Sequence, residues 1–178
     1  MQADLAMINR IVPGIYSIEV SENEFEYILF NPDECGILLL INPLEVSVVS
    51  NIALELYSEN GCKRLGVVVS YPSPGVVNAV NSLQHTIPSM LTITSSELGA
   101  MLREGKCADS PCPPINVSWE VKGKSVELDE GIFVFKLNTP IAGTIGVLFR
   151  GVLLAYELHS TPFGTTRYIC TSKNCIKK

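Results

Sequence analysis

Three groups of residues in this 178-residue chain have types and spacing suited to chemistry. The first is Tyr71-Pro72-Ser73-Pro74-Gly75, a serine on a short turn between an apolar run and a helical pattern. Such a turn loosely mimics a nucleophile elbow, which uses the backbone N–H after the serine as an oxyanion donor. Here that residue is Pro74, which has no N–H. The two histidines, His85 and His159, are the bases on offer, and Glu157 lies just before His159. Ser73, His159 and Glu157 together define a metal-independent ester or thioester hydrolase. Against this stands the commoner case, a surface histidine beside a loop and a strand-end glutamate.

The second group is the six cysteines. Cys107 and Cys112 share with Cys170 and Cys175 a spacing of four intervening residues. The four thiols suit a tetrahedral structural zinc site, although the spacing is at the upper end for paired ligands. The rival is disulfide formation, Cys107–Cys112 and Cys170–Cys175, with Cys35–Cys62 as a third pair. Cys35 precedes an apolar strand and Cys62 follows the helix that returns from it, so both lie at one edge of a strand-helix-strand unit. Local disulfides rank above structural zinc, with buried free thiols close behind. All three roles are structural, and no cofactor other than that zinc alternative is expected.

The third group is a helix start. The N–H groups of Val76, Val77 and Asn78, with the hydroxyls of Tyr71, Ser73, Thr139 and Thr144, suit a small anion. No lysine or arginine is expected nearby, and a capped helix start bearing water is the simpler reading.

The elements that carry these groups follow from periodicity and turn signals. Residues 11–20 and 24–30 read as strands of a hairpin around Ser21-Glu22-Asn23. Residues 36–41 are continuously apolar, as a strand covered on both faces is. Asn42-Pro43 with Glu45 reads as the capped start of a helix running to about residue 60, and Gly61 ends it. Residues 65–69 form the next strand, 75–85 a helix, 90–93 a strand, and Thr94-Ser95-Ser96-Glu97 a capping box opening a helix to about residue 105. The later segments 116–121, 125–128, 132–137, 145–150 and 152–158 are short strands with close turns, which indicates antiparallel sheet.

With these elements in place, several segments resemble the metallo-β-lactamase superfamily in the right order, over about residues 10–160. Its Thr-His-x-His-x-Asp-His loop is similar in frame to Ser70-Tyr71-Pro72-Ser73-Pro74-Gly75-Val76, continuing Val77-Asn78-Ala79. Its strand ending in Asp-Pro or Asp-Thr resembles 37–41 followed by Asn42-Pro43. Its Gly-x-x-x-x-Leu segment resembles Gly123 to Leu128. Its His-Thr-Pro-Gly-His-Thr-x-Gly-Ser-x-Gly motif resembles a shortened Asn138-Thr139-Pro140-Ile141-Ala142-Gly143-Thr144-Ile145-Gly146, and its strand ending Gly-Asp resembles residues 152–157.

The resemblance implies an α/β (α+β) fold, a four-layer αββα sandwich of two mixed sheets with helices outside, built by two similar halves. The whole chain is then one domain, with residues 161–178 as a C-terminal extension. It also implies a pocket lined by Tyr71, Ser73, Val76, Asn138, Thr139 and Glu157. Family members hold zinc or iron with imidazole and carboxylate, and the ions generate hydroxide. The corresponding first-motif positions here are Tyr71, Ser73, Gly75 and Val76, and only Glu157, in the place of a bridging aspartate, keeps a carboxylate. The expectation is a lost metal centre and a non-catalytic binding or interaction protein, acting as a homo-oligomer or with a protein partner.

Composition narrows the partners. With 47% hydrophobic residues the chain is core-rich, and its net charge of −5 with 13 Lys and Arg argues against a nucleic-acid partner. The longest apolar run is far shorter than a bilayer span, and the first ten residues lack a basic, apolar leader pattern. A cytoplasmic location without a membrane is expected, and Lys173, Lys177 and Lys178 read as a solvated tail. Disulfides in that compartment suit a thermophile, as do only two glutamines, while the low charge content of 17% points the other way.

Overall fold

A computed structural model of the chain describes residues 8–157 and 166–177. The chain opens with β1 (Ile8–Val12), β2 (Ile15–Ser21), β3 (Glu24–Leu29) and β4 (Ile37–Ile41). Then come α1 (Val46–Glu59), β5 (Arg64–Val68), α2 (Pro74–Thr86), β6 (Leu91–Ser95), α3 (Ser96–Arg103) and β7 (Trp119–Val121). These seven strands form one sheet in simple sequence order. It is antiparallel from β1 to β4 and parallel from β4 to β7.

The second sheet contains β8 (Ser125–Asp129), β9 (Ile132–Lys136), β10 (Ile145–Phe149), β11 (Val152–Leu154), β12 (Tyr168–Cys170) and β13 (Cys175–Lys177). It is antiparallel except where β11 meets β12.

β4 shows why its sequence is apolar throughout. Leu38 and Leu40 point to the helices, packing with Val76, Val77, Val80 and Leu83 of α2 and Leu98 and Leu102 of α3. Ile37, Leu39 and Ile41 point the other way, against Val134, Ile145, Val147 and Leu154 of the second sheet. Each of the leucines is at most 1% exposed, and burying each stabilises the fold by about 2 kcal/mol. The two mixed sheets with their helices form the expected sandwich, and among the described residues all three helices pack on the first sheet.

Several local expectations are corrected. The strand expected over 11–20 is two strands, because Gly14 takes φ +95° where Phe30 O would lie 2.2 Å from any Cβ. Asn42 is not a helix cap. It sits at φ +50°, and the cap of α1 is Glu45, whose carboxylate accepts from the N–H and hydroxyl of Ser47. The box before α3 is displaced by one residue: Ser95 is the cap and accepts from Leu98 N–H, while Thr94 donates to Val69 O.

The segment 116–121 contributes β7, which pairs parallel with β6 in the first sheet and not antiparallel in the second. The strand expected over 152–158 ends at Leu154. The C-terminal extension supplies two strands, and of these β13 lies in the basic end read as a tail, with all three of its residues exposed.

Candidate functional site

The turn 70–75 leaves the C-terminal end of β5, between the two sheets and the helix layer. It is held from several sides. Ser70 N–H donates to Asn42 Oδ1 at 2.9 Å, which is what the left-handed backbone of Asn42 achieves. Ser70 O accepts from Ile145 N–H, the Ser70 hydroxyl donates to Ile145 O, and the same hydroxyl accepts from Tyr156 N–H at 3.3 Å. Ser70 is fully buried and therefore ties the first sheet to the second.

Next to it, the Tyr71 and Tyr156 rings lie parallel within 1°, centroids 5.1 Å apart. The Tyr156 hydroxyl donates to Ser73 Oγ at 3.2 Å. Ser73 is 7% exposed and occupies the cap position of α2 without a side-chain cap bond. Val77 N–H donates to Ser73 O, and Pro74 is the first helical residue. Partial burial, then the charges of Glu157 and Asp109, raises the Tyr71 phenol above its ordinary value.

A nucleophile needs a base on its hydroxyl. Ser73 meets a phenol instead, and the residue following it has no N–H to donate. His159 lies outside the described residues. His85 is on the last turn of α2, its Nδ1 2.7 Å from Asn81 O, a full helix away from Ser73. Of the expected pocket residues, Tyr71 and Ser73 meet around Tyr156, Glu157 lies near enough for its charge to act on Tyr71, and Val76 is fully buried.

The anion reading loses three of its seven donors. Val77 N–H is spent on Ser73 O, and the hydroxyls of Thr139 and Thr144 both donate to Ile141 O. Asn138 is exposed on the same loop. That loop is pressed against α3 at Gly143, where a Cβ would lie 2.6 Å from Glu97 Cβ at φ +89°.

Two residues that sequence reading passed over matter here. Tyr156 forms half of the aromatic pair, and its signal was its place one residue before Glu157 at the rim. Glu26 is the other. It is fully buried on the helix side of β3, its Oε1 accepts from Leu44 and Glu45 N–H, and its Oε2 has no partner among the described residues. Burial pushes this carboxyl from 4.5 up to about 8; the two N–H groups pull the other way, and Glu45 and Glu24 add repulsion. The alternation Phe25-Glu26-Tyr27-Ile28 placed it opposite the inter-sheet core, which was readable as solvent.

The six cysteines are joined as Cys35–Cys62, Cys107–Cys112 and Cys170–Cys175, with Cα separations of 4.6, 5.8 and 4.0 Å. Cys107, Cys112, Cys170 and Cys175 thus face one another in two separate pairs. Among the described residues no three histidine, cysteine or carboxylate side chains come together in a way that could hold a metal. The donor set of the turn itself, a phenol, a hydroxyl, a glycine and a valine, does not fit a zinc or iron pair.

No family model matches the chain, and no curated protein sequence does. Solved structures do. A Cronobacter sakazakii metallo-β-lactamase with a HARLDQ motif superposes with TM-score 0.59 at 18% identity, covering 88% of this chain and 64% of its own. The DIM-1 metallo-β-lactamase, in a crystal exposed to ceftazidime, gives TM-score 0.65 at 14% identity, covering 96% and 90%. The inverting sec-alkylsulfatase Pisa1 from Pseudomonas gives 0.58 at 12%, covering 96% of this chain and 38% of its own. At such identities the likeness is one of fold. This chain has the metallo-β-lactamase fold, and among its described residues no group of histidine, cysteine or carboxylate side chains could hold a metal ion.

Proposed function

We propose that this protein is a non-catalytic member of the metallo-β-lactamase fold that works by binding, through self-association or a protein partner. The observation that carries this reading is the Tyr71–Tyr156 stack, closed by the bond from Tyr156 to Ser73 at the end of β5. Two aromatic rings and a serine fill the space with each other, and none of them generates hydroxide or activates a nucleophile. The surrounding bonds of Ser70 with Asn42, Ile145 and Tyr156 hold that arrangement rigidly, which suits a surface used for recognition. The cytoplasmic location and the absence of a resident cofactor belong to the same proposal.

The test is a turnover assay on protein purified without added metal. β-Lactam, ester, thioester and sulfate-ester substrates should give rates equal to buffer, with or without added zinc or iron. Turnover that rises with added metal, or that is lost on Ser73→Ala, refutes the proposal. Analytical ultracentrifugation then reads whether the chain associates with itself.

A further inference from the structure

Two disulfide rings of equal size flank the tyrosine pair, one bonded to Pro72 beside Tyr71 and the other to Tyr156. The ring closed by Cys107–Cys112 is folded by Cys107 N–H to Ser110 O and Cys112 N–H to Gly105 O, and its Ala108 N–H donates to Pro72 O at 2.9 Å. Pro72 is the residue between Tyr71 and Ser73. The ring closed by Cys170–Cys175 is folded by Thr171 N–H to Asn174 O, and Ser172 donates both its N–H and its hydroxyl to Tyr156 O at 3.1 Å. Its far side is pinned to β3 by Phe25 N–H and by the Tyr27 hydroxyl.

Each clasping disulfide joins a buried cysteine to one that keeps exposed surface, and Cys175 Sγ also lies 3.5 Å from the Tyr27 hydroxyl. Cys112 is partly exposed and Cys175 exposed, while Cys107 and Cys170 are buried. Cys35 and Cys62 are both buried, at 5% and 7%, beneath the first sheet's helices. Thiol–disulfide exchange requires access to the attacked sulfur. The fold therefore separates two attackable disulfides at the site from one protected disulfide in the core.

We propose that the Cys107–Cys112 and Cys170–Cys175 rings form a redox clasp, opened by a dithiol, that holds or frees the Tyr71–Tyr156 pair. A thiolate of the dithiol attacks Cys112 or Cys175 Sγ, and Cys107 or Cys170 leaves as a thiolate. The second thiol of the dithiol then displaces Cys112 or Cys175 from the mixed disulfide. Two electrons and two protons pass to the protein pair, and the dithiol ends as a cyclic disulfide. Opening the rings loosens Ala108 from Pro72 and Ser172 from Tyr156, so the turn 70–75 and the end of β11 lose their outer support. This inference rests on the reading of the site as a binding surface, and it names what regulates that surface.

The test titrates the folded, full-length protein with dithiothreitol, traps free thiols by alkylation, and locates them by mass spectrometry. Hydrogen exchange is read on the same samples. Both rings should open at a dithiol concentration at least about tenfold below that needed for Cys35–Cys62. The amides of Ala108 and Ser172, with the peptide spanning 70–73, should lose protection at least about tenfold, while β4 and β5 keep theirs. Oxidised glutathione should restore both. The quadruple variant Cys107→Ser, Cys112→Ser, Cys170→Ser, Cys175→Ser should show the loosened pattern without dithiol. If that variant does not fold, the titration of the unsubstituted protein still decides. Opening of Cys35–Cys62 at the same concentration, or open rings with unchanged exchange at 70–73, overturns the clasp. Neither readout needs a ligand, so metal-dependent turnover would refute the binding reading and leave this result standing.

Discussion

Glu26→Gln tests the least expected group in the molecule. The native carboxyl is fully buried, its Oε2 has no partner among the described residues, and burial pushes it up to about 8 from 4.5. Between those values the folded chain holds a proton that the unfolded chain has released. Unfolding stability therefore falls as pH rises, by about 1.4 kcal/mol per pH unit near pH 6 from this one group. The contribution is complete below pH 4.5, declines through the interval, and is gone above pH 8, a total loss of at most about 5 kcal/mol.

Glutamine keeps an acceptor for Leu44 and Glu45 N–H and does not titrate. Urea denaturation of both proteins at pH 5, 6, 7 and 8 measures the difference. The native curve should lose stability steadily across this range, and the variant should be flatter by about 1 kcal/mol per unit. Their absolute values at pH 5 are set by how the new amide is accommodated, so the slope is the quantity that decides. Parallel curves would refute the reasoning, because they would mean that Glu26 is ionised in the fold at neutral pH.

Other outcomes follow from single contacts. Asn42→Ala removes the acceptor of the buried Ser70 N–H and leaves a Cβ residue at φ +50°, so it should cost about 3 kcal/mol in chemical denaturation. Ser73→Ala removes the bond from Tyr156, costs about 1 kcal/mol, and should leave ester and thioester rates at background. Removing Cys35–Cys62 by double serine substitution should cost about 3.5 kcal/mol. Removing Cys107–Cys112 should cost about 2, because one bond spans 27 residues and the other 5. Equal midpoint shifts for the two double variants would show that loop entropy does not set these values.

The parts of the fold written in local pattern were readable. The run Ile37–Ile41 announced a strand buried on both faces, and the return of the following helix placed Cys62 beside Cys35. Partnering across the chain was not readable. Asn42 and Pro43 have the chemistry of a helix start, but Asn42 is claimed by Ser70 N–H from β5, and α1 begins three residues later than expected.

β7 is three residues long, too short to carry a period, and its parallel pairing with β6 depends on a partner far away in sequence. Tyr156 and Glu26 were passed over for the same reason. A tyrosine at a strand end and a glutamate in an alternating strand look ordinary until the ring beneath one and the helix above the other are known.

The central claim is that the loop after β5 no longer builds a metal centre. Elemental analysis of untagged protein, purified without added metal and then dialysed against zinc or iron and desalted, tests it most directly. The account predicts far less than one metal ion per chain, in native protein and in protein with its cysteines replaced by serine. One or two tightly held zinc or iron ions per chain that survive the cysteine replacements would contradict it.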